Sequence, residues 1–256
     1  MTAMSSPAAS AVPPPSSLVR RLVAEALGTG LLVAVVVGSG IAAQRLSPRD
    51  VGLQLLENSL ATTLGLAVLI LLFGPVSGAH FNPVVSAADW LLGRRTRTGL
   101  RGRHVAGYLV AQILGALAGA VVANAMFGLP SSISTTQRVT GGTLLGEVVA
   151  TAVLVLLIFA LAATGRSALA ASAVGAYIGA AYWFTSSTSF ANPAVTIGRT
   201  VSDTFAGIAP LSVGPFIAAQ LLGAVLGVAA TRFLFPAVST AADRVVTPRD
   251  AIDTPR

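Results

Sequence analysis

Three long apolar runs are followed by three more, and each set carries an Asn-Pro box between its second and third run. The runs cover about 22–43, 51–74 and 104–127, then 142–163, 167–187 and 212–236. A helix of about 20 apolar residues crosses the ~30 Å hydrocarbon core of a bilayer. Each half therefore supplies three spans, and an odd number places the two halves in opposite orientations. The first box reads Ser77-Gly78-Ala79-His80-Phe81-Asn82-Pro83-Val84-Val85-Ser86, and the second reads Ser187-Thr188-Ser189-Phe190-Ala191-Asn192-Pro193-Ala194-Val195-Thr196. Asn is a strong helix N-cap, and Pro suits the first helical position because its missing N–H is not needed there. Each box therefore predicts a helix start inside a region whose flanks belong in lipid. Broken segments at equivalent places in two inverted halves point to a polar pathway near the bilayer midplane.

Other positions keep the same register. Asn82 and Asn192 lie 110 residues apart, and Gln112 and Gln220 lie 108 apart in the third and sixth runs. Each Gln is followed three residues later by glycine, Gly115 and Gly223, and Glu25 and Glu147 correspond in the first and fourth runs. Glycines four apart recur as Gly115/Gly119, Gly142/Gly146, Gly175/Gly179 and Gly223/Gly227, a spacing that lets membrane helices approach closely.

Composition excludes an ordinary soluble domain: 54% of the chain is apolar and 10% charged. There is no cysteine, hence no disulfide and no thiolate metal site. The net charge of +7 comes from 16 basic residues, all Arg. Such a balance can signal nucleic acid, but these Arg residues punctuate apolar runs and read as a topology signal, with no nucleic-acid partner expected. Twelve of them (20, 21, 94, 95, 97, 101, 103, 166, 232, 244, 249, 256) fall on one face if both termini are cytoplasmic, and four (45, 49, 138, 199) on the other. The expected location is a plasma (inner) membrane with both termini inside. Residues 1–19, rich in Ala, Ser and Pro, read as a disordered leader; 20–236 as the membrane domain, with repeats of about 20–127 and 142–236; and 237–256 as a cytoplasmic tail.

From Pro83 to Leu91 a helix would reach ~14 Å, half the hydrocarbon core. Such a stub dips in but cannot span, and a similar one begins at Pro193. In inverted halves their N-termini meet near the centre, each bringing a positive dipole end and the N–H donors of an Asn amide. That centre holds the oxygen of water or a hydroxylated solute and opposes cations and protons. The irregular backbone leading in is tolerated only along a wet pathway. Glu25 and Glu147 are intramembrane carboxylates, a position that is functional by default. They would couple protons in a secondary transporter or hold the re-entrant loops in a channel. His80 either narrows or gates the path or is a packed, hydrogen-bonded residue. His104 reads as interfacial, and Tyr182, Trp183 and Phe184 as an outer aromatic belt with a vestibule role open. No nucleophile–base pair, phosphate loop or metal-ligand cluster is visible, so neither an enzyme nor a cofactor is expected.

Ser77-Gly-Ala-His-Phe-Asn-Pro-Val, the second Asn192-Pro193-Ala194, the paired Glu residues and the Gln-x-x-Gly pairs resemble the aquaporin, or major intrinsic protein, family over about residues 20–236. The resemblance implies an all-α hourglass of six transmembrane helices and two re-entrant half-helices, a homotetramer, and passive flow of water or small uncharged solutes. It makes Asn82, Pro83, Val84, Asn192, Pro193 and Ala194 the pore centre, with Val84 where the family has Ala. It gives Glu25 and Glu147 the structural role. It also predicts a four-cornered constriction at Thr62, Ala180, Ser189 and Val195, the first two placed 20 residues before Asn82 and 12 before Asn192. Family members normally carry Arg where this chain has Val195, and water-selective ones an aromatic and a His at the first two corners. None of the four is aromatic, His or charged, so the expected filter is wide and uncharged. Arg199, one turn beyond Val195, either stands in for the missing Arg or is a solvated vestibule residue paired with Asp203. The filter resembles that of a bacterial branch linked with arsenic resistance more than that of glycerol facilitators. The expected solutes are arsenite, as the undissociated acid, with glycerol and water. A plain glycerol/water facilitator and a proton-coupled transporter using Glu25 and Glu147 are the alternatives.

Overall fold

The computed structural model describes residues 16–96 and 98–236. Six long helices carry the apolar runs: α1 (Leu18–Leu46), α2 (Val51–Ser77), α4 (Gly102–Met126), α5 (Gly141–Ala163), α6 (Ala170–Phe184) and α8 (Pro210–Leu234). A 3-10 turn, Ser167–Leu169, leads into α6. Two short helices begin at the Asn-Pro boxes, α3 (Pro83–Gly93) and α7 (Pro193–Gly198), the latter running into a 3-10 turn, Arg199–Val201. α1 starts at Leu18, where the Ser17 side chain caps it by accepting from the Arg20 N–H. Residues 1–15 of the expected leader, the tail from 237, and Arg97 lie outside the described residues.

The six long helices, α6 taken together with the 3-10 turn before it, are apolar and long enough to cross a membrane. Leu60, Leu64, Val68 and Leu71 are exposed along one side of α2, as are Leu221, Leu222 and Val225 on α8. A surface of this kind has its solvent in lipid tails. With six spans, the start of α1 and the end of α8 share one face, here the terminal face, with the 94–101 and 164–169 connections. The opposite face holds the 127–140 and 185–209 connections.

Small residues set the helix packing. A Cβ on Gly115 or Gly119 of α4 would fall on the carbonyl oxygens of Ala26 and Gly30 of α1. In the second half, a Cβ on Gly223 or Gly227 of α8 would sit 2.5 Å from Val148 O and 2.6 Å from Ala152 O of α5. The α1/α4 and α5/α8 pairs are thus the same contact repeated in inverted halves. Gly175 of α6 meets Thr63 O of α2 in the same way, at 2.7 Å, and so joins the two halves.

Candidate functional site

Each half-helix is capped as its box predicts. Asn82 Oδ1 accepts from the Val84 N–H (3.1 Å), and Asn192 Oδ1 accepts from Ala194 (2.9 Å) and Val195 (3.2 Å). The two amide groups then cross between halves. Asn82 Nδ2 donates to Ala191 O, and Asn192 Nδ2 donates to Phe81 O, both at 2.7 Å. These reciprocal bonds put the two N-termini against each other, with Pro83, Val84, Pro193 and Ala194 all buried around them.

The loops that deliver them share an unusual backbone. Gly78, Ala79 and Phe81 have positive φ (92°, 47° and 50°), and so do Thr188, Ser189 and Ala191 (60°, 49° and 47°). These positions match at the 110-residue spacing of the Asn pair. Left-handed backbone at residues with a Cβ costs of order 1 kcal/mol each and persists only where surroundings enforce it. Here two carboxylates enforce it. Glu25 accepts from Ser77 Oγ (2.6 Å), the His80 and Phe81 N–H groups (2.9 and 2.7 Å) and Gln112 Nε2 (2.7 Å). Glu147 accepts from the Phe190 and Ala191 N–H groups (both 2.8 Å) and Gln220 Nε2 (2.6 Å). Each Gln amide also donates onward, Gln112 to Ser86 Oγ (3.0 Å) and Gln220 to Thr196 Oγ1 (2.9 Å). Both carboxylates are fully buried, and neither lines the central cavity.

That cavity runs past both Asn residues and is mostly apolar, walled by Leu32, Val36, Leu66, Ile70, Leu154, Ile158, Val174 and Ile178. On the terminal-face side His80 lines it. The His80 Nδ1 lies 3.0 Å from Ser86 Oγ, its Nε2 lies 3.7 Å from an Asp89 oxygen, and its ring stacks on Tyr108 at 5.5 Å. His80 is therefore packed and hydrogen-bonded while still facing the cavity. On the other side Thr62, Ser189 and Val195 line it.

Three expectations change there. Ala180 is exposed on the outer side of α6 and is not part of the cavity wall. The α6 residues facing inward are Val174, Ile178 and Tyr182, four apart on one helical face, and Ala180 lies two residues, about 200°, off that face. Tyr182 leaves the aromatic belt as a consequence: it is buried, and its hydroxyl lies 3.2 Å from Thr62 Oγ1. Trp183 and Phe184 remain exposed. Arg199 is not solvated. It is 3% exposed, lines the cavity, donates through Nε to Ala206 O, and places its guanidinium 3.5 Å from the Phe190 ring centre. Asp203 accepts instead from the Thr135 N–H at 2.9 Å, which holds its carboxyl below the ordinary range. The wall beside Val195 thus carries an aromatic hydroxyl and a cation, not the uncharged ring expected.

Two charged residues that no motif singles out as functional, Asp89 and Arg138, also brace the loops around the site. Asp89 is fully buried and accepts from the Leu100 N–H at 2.7 Å; its signal was a carboxylate inside a stub that must lie in the membrane. Arg138 donates to Gly207 O (2.6 Å) and Phe205 O (2.8 Å), from a connection that gave no motif. The hydroxyls at 77, 86, 187 and 196 were legible, since they repeat at the same spacing within the two boxes.

The Major intrinsic protein family profile matches residues 14–189. The chain is 50% identical over 218 residues to "Aquaglyceroporin AqpS" of Rhizobium meliloti, covering 85% of this chain and 91% of that one. It is 33% identical to a "Glycerol uptake facilitator protein" of Pseudomonas aeruginosa, covering 86% and 90% of the two chains. The fold is shared with the X-ray structure of the aquaglyceroporin from Plasmodium falciparum at TM-score 0.58, 20% identity and coverage of 88% and 100%.

Proposed function

The chain belongs to the major intrinsic protein family, and on that premise we propose that it is a passive transmembrane channel for small uncharged hydroxylated solutes: glycerol, undissociated metalloid acids such as arsenious acid, and water. The observation that carries the reading is the mixed wall of the cavity. Leu, Ile and Val side chains are interrupted by the Asn82 and Asn192 amides and the Thr62 and Tyr182 hydroxyls. A polyol is mixed in the same way, with C–H groups that the apolar side chains suit and O–H groups that the amides and hydroxyls suit. Each Asn amide spends one N–H on the opposite loop, and the second N–H is the donor for a passing oxygen. The printed names of the relatives, aquaglyceroporin and glycerol uptake facilitator, support the polyol part. Val195 in place of a bulky cation supports the larger metalloid acids.

The carboxylates favour a channel over a proton-coupled transporter. Glu25 and Glu147 are occupied by loop N–H groups and Gln amides, which leaves them no path to the cavity. We further take Asn82, Pro83, Val84, Asn192, Pro193 and Ala194 as the pore centre, residues 20–236 as the channel domain and a homotetramer as the assembly. The Arg distribution supports a plasma-membrane protein with both termini cytoplasmic.

Stopped-flow light scattering on proteoliposomes tests the solute class. Glycerol and arsenious acid are expected to enter faster than in empty vesicles, and Val195→Arg to suppress both more than water. Water passage without glycerol or arsenious acid would defeat the proposal.

A further inference from the structure

We propose that Arg199 is the specificity-determining cation of this channel, moved one helical turn outward from the third position after Asn192, where Val195 stands. The inference rests on the channel reading above. Val195 and Arg199 lie four residues apart across the end of α7, so both side chains reach the same cavity. The Arg199 side chain is fixed at two points, its Nε on Ala206 O and its guanidinium plane on the Phe190 ring. Its terminal nitrogens make no hydrogen bond within the described residues and are not sealed from the cavity. Among the described residues no carboxylate pairs with it, since Asp203 is engaged by Thr135. Ser189 Oγ, buried on the same cavity wall, makes no hydrogen bond within the described residues. A fixed cation with no carboxylate in contact, beside hydroxyl groups, donates to the oxygens of a neutral solute and repels a cation at the same point. Moving it outward leaves space at Val195 for a solute larger than water, while exclusion of cations is retained. The arrangement separates two tasks that a cation at position 195 would perform together: setting the width and rejecting charge.

The test uses full-length protein in proteoliposomes, with proton leak read by an entrapped pH-sensitive dye while valinomycin sets the membrane potential, and glycerol flux read in parallel. Arg199→Gln is expected to raise the proton leak tenfold or more, and Arg199→Lys to keep it near wild type. The double variant Val195→Arg/Arg199→Gln restores a cation one turn inward. It is expected to return the leak to wild type while losing glycerol flux, and it stands in if the single Gln variant does not fold. A folded Arg199→Gln, verified by melting and elution volume, with wild-type leak overturns the inference. So does an Arg199→Lys variant that leaks as much as the Gln variant, or a folded double variant that leaks above wild type. Wild-type protein that passes no glycerol would count against the channel reading, independently of the leak.

Discussion

The two re-entrant loops share a frame and differ in what they mount on it. Both hang from a buried Glu through two successive N–H groups, both are braced by a Gln reaching a hydroxyl on the half-helix, and both end in an Asn whose amide crosses to the other loop. At the same 110-residue spacing, His80 in the first loop becomes Phe190 in the second, and Asp89 becomes Arg199. The ring contact persists, His80 on Tyr108 at 5.5 Å and Phe190 on Phe216 at 5.3 Å. The charge reverses. On the terminal face an acid sits 3.7 Å from an imidazole; on the other a cation lies on a phenyl ring. The frame fixes where the stubs meet, and the variable pair gives the two ends of the cavity opposite charge.

The comparison is broken first by removing the frame. Glu25→Ala and Glu147→Ala each strand several buried loop donors, at a cost of about 3–5 kcal/mol. Thermal melts in detergent should show loss of folded protein for either, and equal losses would establish the frame as symmetric. A second test concerns volume. Gly28 leaves no room for a Cβ beside the Phe81 ring, whereas the matching positions in the second half are Ala150 and Ala191. Gly28→Ala should destabilise by about 1–3 kcal/mol through overpacking, and adding Phe81→Ala should recover part of that; an additive loss would show that the two residues do not share the space. Asp89→Asn comes next, because it keeps the shape but weakens the acceptor of the Leu100 N–H, at about 1–2 kcal/mol. The corresponding Arg199→Gln is read in cation leak. The smallest effect is at Asp203, whose folded-state carboxyl is depressed by the Thr135 N–H. Its contribution is present above the unfolded carboxylate range and is lost as pH falls through the depressed value. Protection of the Thr135 amide, measured against its intrinsic exchange rate at each pH, should therefore fall in acid, and should not do so in Asp203→Asn.

Much of this was legible from the chain itself. Six spans followed from apolar run length, and the stubs at Pro83 and Pro193 from two local capping rules. The loop-holding role of Glu25 and Glu147 came from the family resemblance, since the residues alone left proton coupling open, and the Gln pair showed only the repeat. The constriction was not legible in full. Thr62, Ser189 and Val195 line the cavity that passes both Asn residues, and Ala180, placed by counting 12 back from Asn192, does not. The count ran across the loop between α6 and Asn192, and loop length carries no information on helical register. Tyr182 was read with Trp183 and Phe184 as an outer belt with a vestibule role open, and it lines the cavity while Trp183 and Phe184 are exposed. Arg199 was ambiguous because its partners, Ala206 O and the Phe190 ring, come from backbone and stacking that no residue pattern announces.

Whether solute passes down its gradient through the Asn82–Asn192 centre is tested most directly by glycerol flux into proteoliposomes as external glycerol rises, with and without an imposed proton gradient. The account predicts a rate that climbs in proportion to concentration, ignores the proton gradient, and survives Glu25→Gln or Glu147→Gln in whatever fraction of the variant folds. Saturating uptake driven by protons, and abolished by either Gln variant in folded protein, would contradict it.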